Sequence, residues 1–282
     1  MSMNTPKTIV ITGATNGIGL EAAQQLAAQG HHLVLVGRSP ERLAHAAELV
    51  TTAGAAGVDT YVADFSSLDS VRGLAKELRS RLDRIDVLVN NAGGVHDRRT
   101  LTADGYEATF AINHLAGFLL TEQVLDLVVA AAPSRIVFTS SQGHYSATMD
   151  FDDLGYERGY TIMKAYGRSK LANVLYTRSL AAELKDAGVT VNALHPGAVA
   201  TDIWSGAPRF AKPVLALAKL FMRSPADGGR TITFLATDPS VEGQTGGYYD
   251  NNALKEPSRL AQDDAVAARL REESGRLVGL DG

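Results

Sequence analysis

Tyr166 and Lys170 stand four residues apart in "AYGRSK", one turn of a helix, so both side chains can face the same side. An ammonium held near a phenol favours phenolate and draws the tyrosine pKa from about 10 toward the working pH, as a proton-transferring tyrosine requires. The chain has 9 tyrosines, so one such spacing also arises by chance, and the pair taken alone reads equally as packing. Upstream, Ser140 and Ser141 end the apolar run "RIVFTSS" at the carboxyl edge of a strand, where open α/β sheets bind ligands. A hydroxyl there can hold a carbonyl oxygen; the plain alternative is a turn-forming or capping serine.

A second chemistry-bearing stretch is "TGATNGIG", residues 12–19, between the apolar run ending at Ile11 and a segment with helical spacing. Gly13, Gly17 and Gly19 in a strand–turn–helix setting permit a tight turn and close backbone approach to a pyrophosphate at a helix N-terminus. By itself the loop is equally a glycine turn. The run after the next helix ends Val36-Gly37-Arg38, with no acid at the position where a carboxylate would accept from the ribose hydroxyls of NAD. An arginine there pairs with the 2′-phosphate of NADP, and its other reading is a solvated surface charge.

These residues need elements to hold them. Six short apolar runs, "KTIVIT", "HHLVLVG", "VDTYVAD", "IDVLVNN", "SRIVFTS" and "VTVNALHP", suit parallel strands buried on both faces. Between them lie helical segments: "GLEAAQQLAAQG" closing on a glycine, "SPERLAHAAELV" opening with Ser39 and Pro40 as cap and first-turn residues, "SSLDSVRGLAKELRSRL", the long piece from about Thr102 to Ala132, and "YGRSKLANVLYTRSLAAELKDAG". The alternation predicts a single α/β domain over residues 1–282, a Rossmann-type doubly wound parallel sheet. Residues 142–163 form a polar, tyrosine-rich connection, and residues 202–224 include an amphipathic piece. Both are candidate substrate loops or lids. Tyr145, Phe151, Trp204 and Phe221 could line an apolar pocket or simply pack.

Composition narrows the classes. A net charge of -4 without a long basic run argues against nucleic acid as a partner. The absence of cysteine removes disulfides, thiolate nucleophiles and zinc–sulfur sites. His114, His144 and His195 show no metal-ligand spacing, so no metal is expected: His195 reads as a strand-end residue, His114 and His144 as pocket linings at most. The start "MSMNTPK" carries no apolar leader, and no run of eighteen apolar residues follows, so no membrane span and a cytoplasmic location are expected. The charged segment from about Ala261 to Val278 reads as a solvated helix packed by one face.

Taken in order, these motifs resemble those of the short-chain dehydrogenase/reductase superfamily over about residues 7–250. "TGATNGIG", with Gly13, Thr15, Asn16, Gly17, Ile18 and Gly19, is similar to that family's cofactor loop. "NNAG" (with Asn91, Ala92 and Gly93) is similar to its central-strand motif, and "HPGAVAT" (with Pro196 and Gly197) to its Pro-Gly motif. The resemblance implies Asn113, Ser141, Tyr166 and Lys170 as catalytic residues, with Ser140 the lesser candidate beside Ser141. It further implies Asp64 and Phe65 at the adenine, Asn91 near the adenosine ribose, and Val199 and Thr201 at the nicotinamide carboxamide or phosphates. Lys170 would hold the nicotinamide ribose and depress the Tyr166 pKa, and Asn113 would anchor a water linking Lys170 to solvent.

Within the superfamily, the long Ser141–Tyr166 interval, "SKLANVLYTRSLAAEL", the "HPG" and the C-terminal segment from "GGYYDNN" onward resemble the retinol-dehydrogenase-like branch. That branch implies an NADP(H)-dependent oxidoreductase, NAD(H) being the lesser expectation, that interconverts a lipophilic ketone or aldehyde and its alcohol. The sequence departs from the animal members in having no N-terminal membrane anchor, which weighs against a retinoid substrate. The alternatives are a same-fold lyase, epimerase or cyclase using Tyr166 for proton transfer alone, and an NADP-sensing protein without turnover. The resemblance also implies association as a homodimer or homotetramer through the helices bearing Asn113 and Tyr166, a surface the 142–163 insertion could block, which leaves a monomer open as well.

Overall fold

The computed structural model describes residues 5–197 and 224–280 of the chain. All six apolar runs are strands: β1 (Thr8–Thr12), β2 (His32–Gly37), β3 (Gly57–Val62), β4 (Val87–Asn90), β5 (Ser134–Thr139) and β6 (Val189–His195). Two more follow, β7 (Tyr248–Asp250) and β8 (Ala253–Lys255), which the periodicity does not predict because three residues are too few to show one. The sheet order is β3-β2-β1-β4-β5-β6-β7-β8. Every pairing through β7 is parallel, and only β8 is antiparallel.

Strand burial follows position in the sheet. The inner strands β1, β2, β4, β5 and β6 are buried almost throughout, as Val- and Ile-rich runs should be when helices cover both faces. β3 departs from that expectation: it is half-exposed, with Val62 at 58%, because it forms the sheet's edge.

The crossovers are α1 (Gly17–Ala27), α2 (Pro40–Thr52), α3 (Leu68–Arg81), α4 (Ala108–Val129) and α5 (Ile162–Glu183), followed by α6 (Pro225–Thr237) and α7 (Asp264–Val278). Ser39 caps α2 as expected, its hydroxyl accepting from the Arg42 N–H at 3.2 Å. α4 starts later than the 102–132 segment suggested. Leu101 and Glu107 bridge first, and both Glu107 carboxylate oxygens then accept from the Thr109 and Phe110 N–H groups at 2.8 Å. α4 is long and apolar enough to cross a membrane, and 67% of its most apolar window is buried inside the fold.

Two apolar layers result. Val10, Leu88, Ile136 and Phe138 face α3, α4 and α5, whereas Ile9, Ile11, Leu33 and Val89 face α1, α2 and α6. Strand order reverses between β1 and β4, so their carboxyl ends diverge and open a crevice there. The glycine loop follows β1 and "NNAG" follows β4, so both motifs border it.

Candidate active site

At the carboxyl end of β1 the chain turns through Gly13, Ala14, Thr15 and Asn16 into α1. Gly13 has φ +67 and Gly17 φ +53, left-handed values that favour glycine. Gly19 is fixed by contact: a Cβ there would lie 2.3 Å from the Gly13 carbonyl oxygen and 2.5 Å from Asn91 Nδ2. Asn16, at the cap position, makes no side-chain capping bond, and the first turn of α1 has no acidic residue. The N-terminal amides and the positive end of the helix dipole are thus left to an anion, an arrangement that fits the pyrophosphate of a dinucleotide. Ile18 helps seat α1 on the apolar layer beneath.

Asn91 and Thr12 lock this loop to β4. Asn91 Nδ2 donates to the carbonyls of Thr12 at 3.0 Å and Gly13 at 3.3 Å, and its Oδ1 accepts from Thr139 Oγ1 at 3.3 Å. Thr12 Oγ1 accepts from the N–H groups of Asn91 and Ala92 at 2.9 and 3.0 Å. Thr12, fully buried, is a positioning residue that sequence reasoning missed, although it opens the glycine motif.

Arg38, at the end of β2, is exposed and has no ion-pair partner among the described residues. At the end of β3, Asp64 is exposed and accepts the Ser66 N–H through Oδ1 at 2.9 Å, while Phe65 turns into the core. Pro196 and Gly197 follow β6, Gly197 with φ +91. Val199, Thr201, Trp204, Phe221 and residues 202–223 of the expected lid lie outside the described residues; Ser224 caps α6.

The second half of the site forms where β5 meets α5. Thr161 caps α5, accepting from the Lys164 N–H at 3.2 Å, so the helix begins four residues before Tyr166. Tyr166 and Lys170 lie one turn apart on it as expected, the ammonium 5.6 Å from the centre of the tyrosine ring. The two serines separate cleanly. Ser140 Oγ donates to the Lys170 carbonyl at 2.8 Å and is structural, whereas Ser141 stands beside the Tyr166 phenol and acts to lower its pKa. Ser141 Oγ also accepts from the Gly143 N–H at 3.2 Å and caps the 3-10 turn Gln142–Ser146.

Asn113 sits in a π-turn, Ala111–Leu115, inside α4, a local widening frequent at functional sites. Its Oδ1 accepts from the Gly94 N–H at 2.7 Å and its Nδ2 donates to Ser169 Oγ at 3.0 Å. Gly93 lies between Asn113 and Lys170: a Cβ there would be 2.9 Å from Asn113 Oδ1 and 3.4 Å from Lys170 Nζ. Lys170 Nζ donates to the Thr139 carbonyl at 3.0 Å, and Asn173 Nδ2 joins it there at 3.3 Å. The structure thus gathers Asn113, Ser141, Tyr166 and Lys170 around the ends of β4 and β5.

Burial sets the protonation of the pair. It pulls Lys170 down to about 8 and pushes the Tyr166 phenol above its ordinary value, the Ser141 hydrogen bond acting in the opposite direction. The expectation that the Tyr166 pKa is drawn below its ordinary value is therefore not met in the chain by itself, where desolvation is the largest influence on the phenol.

Residues 7–210 match the family described as short chain dehydrogenase. The chain belongs to that family. Among curated relatives of this short-chain dehydrogenase, retinol dehydrogenase 14 of Mus musculus is 39% identical over 288 residues, covering 97% of this chain and 86% of the relative. A proposed daunorubicin C-13 ketoreductase of Streptomyces sp. (strain C5) is 42% identical over 280 residues, covering 97% and 93%. Among solved structures, a proposed NAD(P)-dependent gluconate 5-dehydrogenase of Beutenbergia cavernae, with NADP bound at low occupancy, superposes with a TM-score of 0.72 at 27% identity, covering 89% of this chain and 97% of that one.

Of the three candidate histidines, His195 takes the place expected, and His114 and His144 are buried. His114 is fully buried, with Nδ1 3.2 Å from Asn173 Oδ1 and Nε2 2.9 Å from Ser274 Oγ, and burial holds its pKa down to about 4. It belongs to the core. His144 is likewise buried, while His195 ends β6 as expected. Among the described residues no group of His, Asp and Glu is placed to hold a metal. The 142–163 connection is held by Arg168 on α5, which donates to the carbonyls of Thr148 at 3.0 Å and of Asp153, and lies 3.5 Å over the Tyr156 ring. Phe151 packs against Arg269, and Tyr145 remains 48% exposed.

Proposed function

We propose that this short-chain dehydrogenase is an NADP(H)-dependent oxidoreductase that interconverts a lipophilic ketone or aldehyde and its alcohol, with Tyr166 as general acid and base. The observation that carries the reading is the placement of Ser141 beside the Tyr166 phenol, with the Lys170 ammonium 5.6 Å from the centre of its ring, at the carboxyl edge of the sheet.

Tyr166 gives its phenolic proton to the carbonyl oxygen in reduction and takes the hydroxyl proton in oxidation. Ser141 donates to the same oxygen and stabilises the charge that develops on it. Lys170, held by the Thr139 carbonyl, sets a positive charge beside the phenol as it loses its proton. Asn113 and Gly93 shape the wall behind that ammonium. Nicotinamide, when bound, accepts or supplies the hydride.

The residues proposed to hold the cofactor are the loop from Gly13 through Thr15, Asn16, Gly17 and Ile18 to Gly19 for the pyrophosphate, and Asp64 and Phe65 for the adenine. Asn91 would meet the adenosine ribose region, with Ala92 and Gly93 beside it, and Lys170 with Pro196, Gly197, Val199 and Thr201 the nicotinamide end. Arg38 supports NADP over NAD: it stands exposed at the end of β2 where a ribose-binding acid would stand, with no ion pair among the described residues. The NADP in the Beutenbergia cavernae structure and the substrates in the two relatives' names support the cofactor and the lipophilic class.

The test is NADPH and NADH consumption, followed at the nicotinamide absorbance band, with a panel of lipophilic aldehydes and ketones. Wild type should consume NADPH in preference. Tyr166→Phe should lower kcat by roughly 10²-fold or more while still binding NADPH, and Arg38→Asp should move preference toward NADH. Turnover unchanged in Tyr166→Phe would remove the proton-transfer role, and tight NADPH binding without consumption across the panel would overturn the redox reading.

A further inference from the structure

Ser141 does not hold its place through its own side chain alone. The turn that carries it, Gln142–Ser146, lies between α5 and the C-terminal segment 248–262. On the α5 side the approach is close: a Cβ on Gly167 would come within 2.8 Å of the Gly143 carbonyl oxygen. On the C-terminal side the central contact is His144. Its Nδ1 lies 2.7 Å from the Ser141 carbonyl oxygen, and its Nε2 lies 3.1 Å from the Ser258 N–H.

Those two partners fix the imidazole's state. A carbonyl only accepts, so Nδ1 carries the proton; a backbone N–H only donates, so Nε2 must accept. This is one tautomer of the neutral ring, and burial, which lowers the His144 pKa, keeps it neutral. Its ring is packed by Tyr145 at 4.1 Å and Tyr248 at 4.6 Å between centroids. Two further bonds run in parallel: Tyr145 Oη donates to the Glu256 carbonyl at 2.7 Å, and Gln142 Nε2 to Asp250 Oδ2 at 3.3 Å. Three of the five residues of the turn therefore fasten it to one segment, and the fastening nearest Ser141 is the imidazole.

We propose that His144 is a positioning residue for the proton-transfer centre: it couples Ser141, through the backbone carbonyl, to the docked C-terminal segment at Ser258. The proposal rests on the role given above to Ser141 and Tyr166. Without the imidazole the Ser141 carbonyl keeps only the His144 N–H of its own turn, at 3.2 Å, and loses its tie to the C-terminal segment. The hydroxyl then loses its alignment with Tyr166, and a misplacement of about 1 Å in such a group costs on the order of 10²-fold in rate.

The test uses full-length protein and the carbonyl compound that turns over best in the panel. His144→Phe keeps a flat ring between the tyrosines and removes both polar atoms. It should lower kcat about tenfold or more, with KM and NADPH binding nearly unchanged. His144→Asn returns a donor near the Nδ1 position and should restore most of that loss. In a Ser141→Ala background, His144→Phe should cost less than about twofold, because the hydroxyl it positions is gone. An undiminished effect in that background, or no rescue by asparagine, would overturn the proposal in favour of simple packing.

Hydrogen exchange gives a readout independent of turnover. Peptides spanning 141–146 and 256–262 should exchange faster together in His144→Phe, while those spanning 8–27 stay as in wild type. Unchanged exchange at 141–146 would also overturn the coupling. Absence of turnover in wild type would sink the oxidoreductase reading and leave the exchange result to decide this one.

Discussion

Lys170 is buried with its ammonium on the Thr139 carbonyl, and burial is the cause of its low pKa. Its folded value is about 8 against 10.5 for an ordinary lysine. Between those two pH values the unfolded chain binds more protons than the folded one, so the stability contributed by Lys170 rises with pH across that window. Below about pH 8 the folded state carries the buried charge at a cost. Lys170→Met removes that cost, so the variant should be the more stable protein at pH 7, with the difference shrinking as pH rises toward 10. Urea unfolding of both proteins at several pH values checks this, and a difference that grows or stays flat would contradict it. The strain fits the function proposed: a cation beside a phenol is retained there at the expense of the fold.

α5 shows how an element can be legible in its chemistry and hidden in its packing. The Tyr166–Lys170 spacing marks the helix but not its start at Ile162 behind the Thr161 cap, because the polar 142–163 connection shows no periodicity and Arg168 orders it through backbone carbonyls. Ser140 and Ser141 could be ranked only by resemblance in the sequence, since what distinguishes them is which side chain or carbonyl each meets. The β7–β8 hairpin left a weaker trace, the pair Asn251-Asn252, whose φ values of 52 and 62 suit a two-residue turn with left-handed backbone. Gly167 carries a prediction at this scale. Gly167→Ala would drive the Ser141 turn off the helix, because the atom in the way is the Gly143 carbonyl oxygen and not a side chain that can swing aside. Thermal or urea unfolding should show a loss of about 1–3 kcal/mol, with kcat falling further than NADPH binding; a variant as stable and active as wild type would show that the turn can yield.

Across the whole molecule, α7 closes over α4 and α5. Arg271 pairs with Glu122 on α4 at 3.2 Å and with Glu183 on α5, and Glu122 also accepts from the buried Tyr176 hydroxyl at 2.8 Å. Arg178 meets Asp264 at 2.9 Å, and Ser274 meets His114, the neighbour of Asn113, at 2.9 Å. The amphipathic pattern of residues 261–278 was readable as a helix packed by one face, but nothing in it told which face of the fold it would cover. These contacts place it on the helices that bear Asn113 and Tyr166, the surface through which the family resemblance leads one to expect association. With charged groups there already paired within one chain, a second copy would have to displace α7 and leave Glu122 and Tyr176 half-buried without their arginine, which is unfavourable. The expected species is therefore a monomer of 29.9 kDa, measured by light scattering across a concentration series. A dimer that persists on dilution would mean that the chains meet through a different surface or that α7 is readily displaced, and Arg271→Ala separates the two, since only displacement of α7 would be promoted by losing its ion pairs.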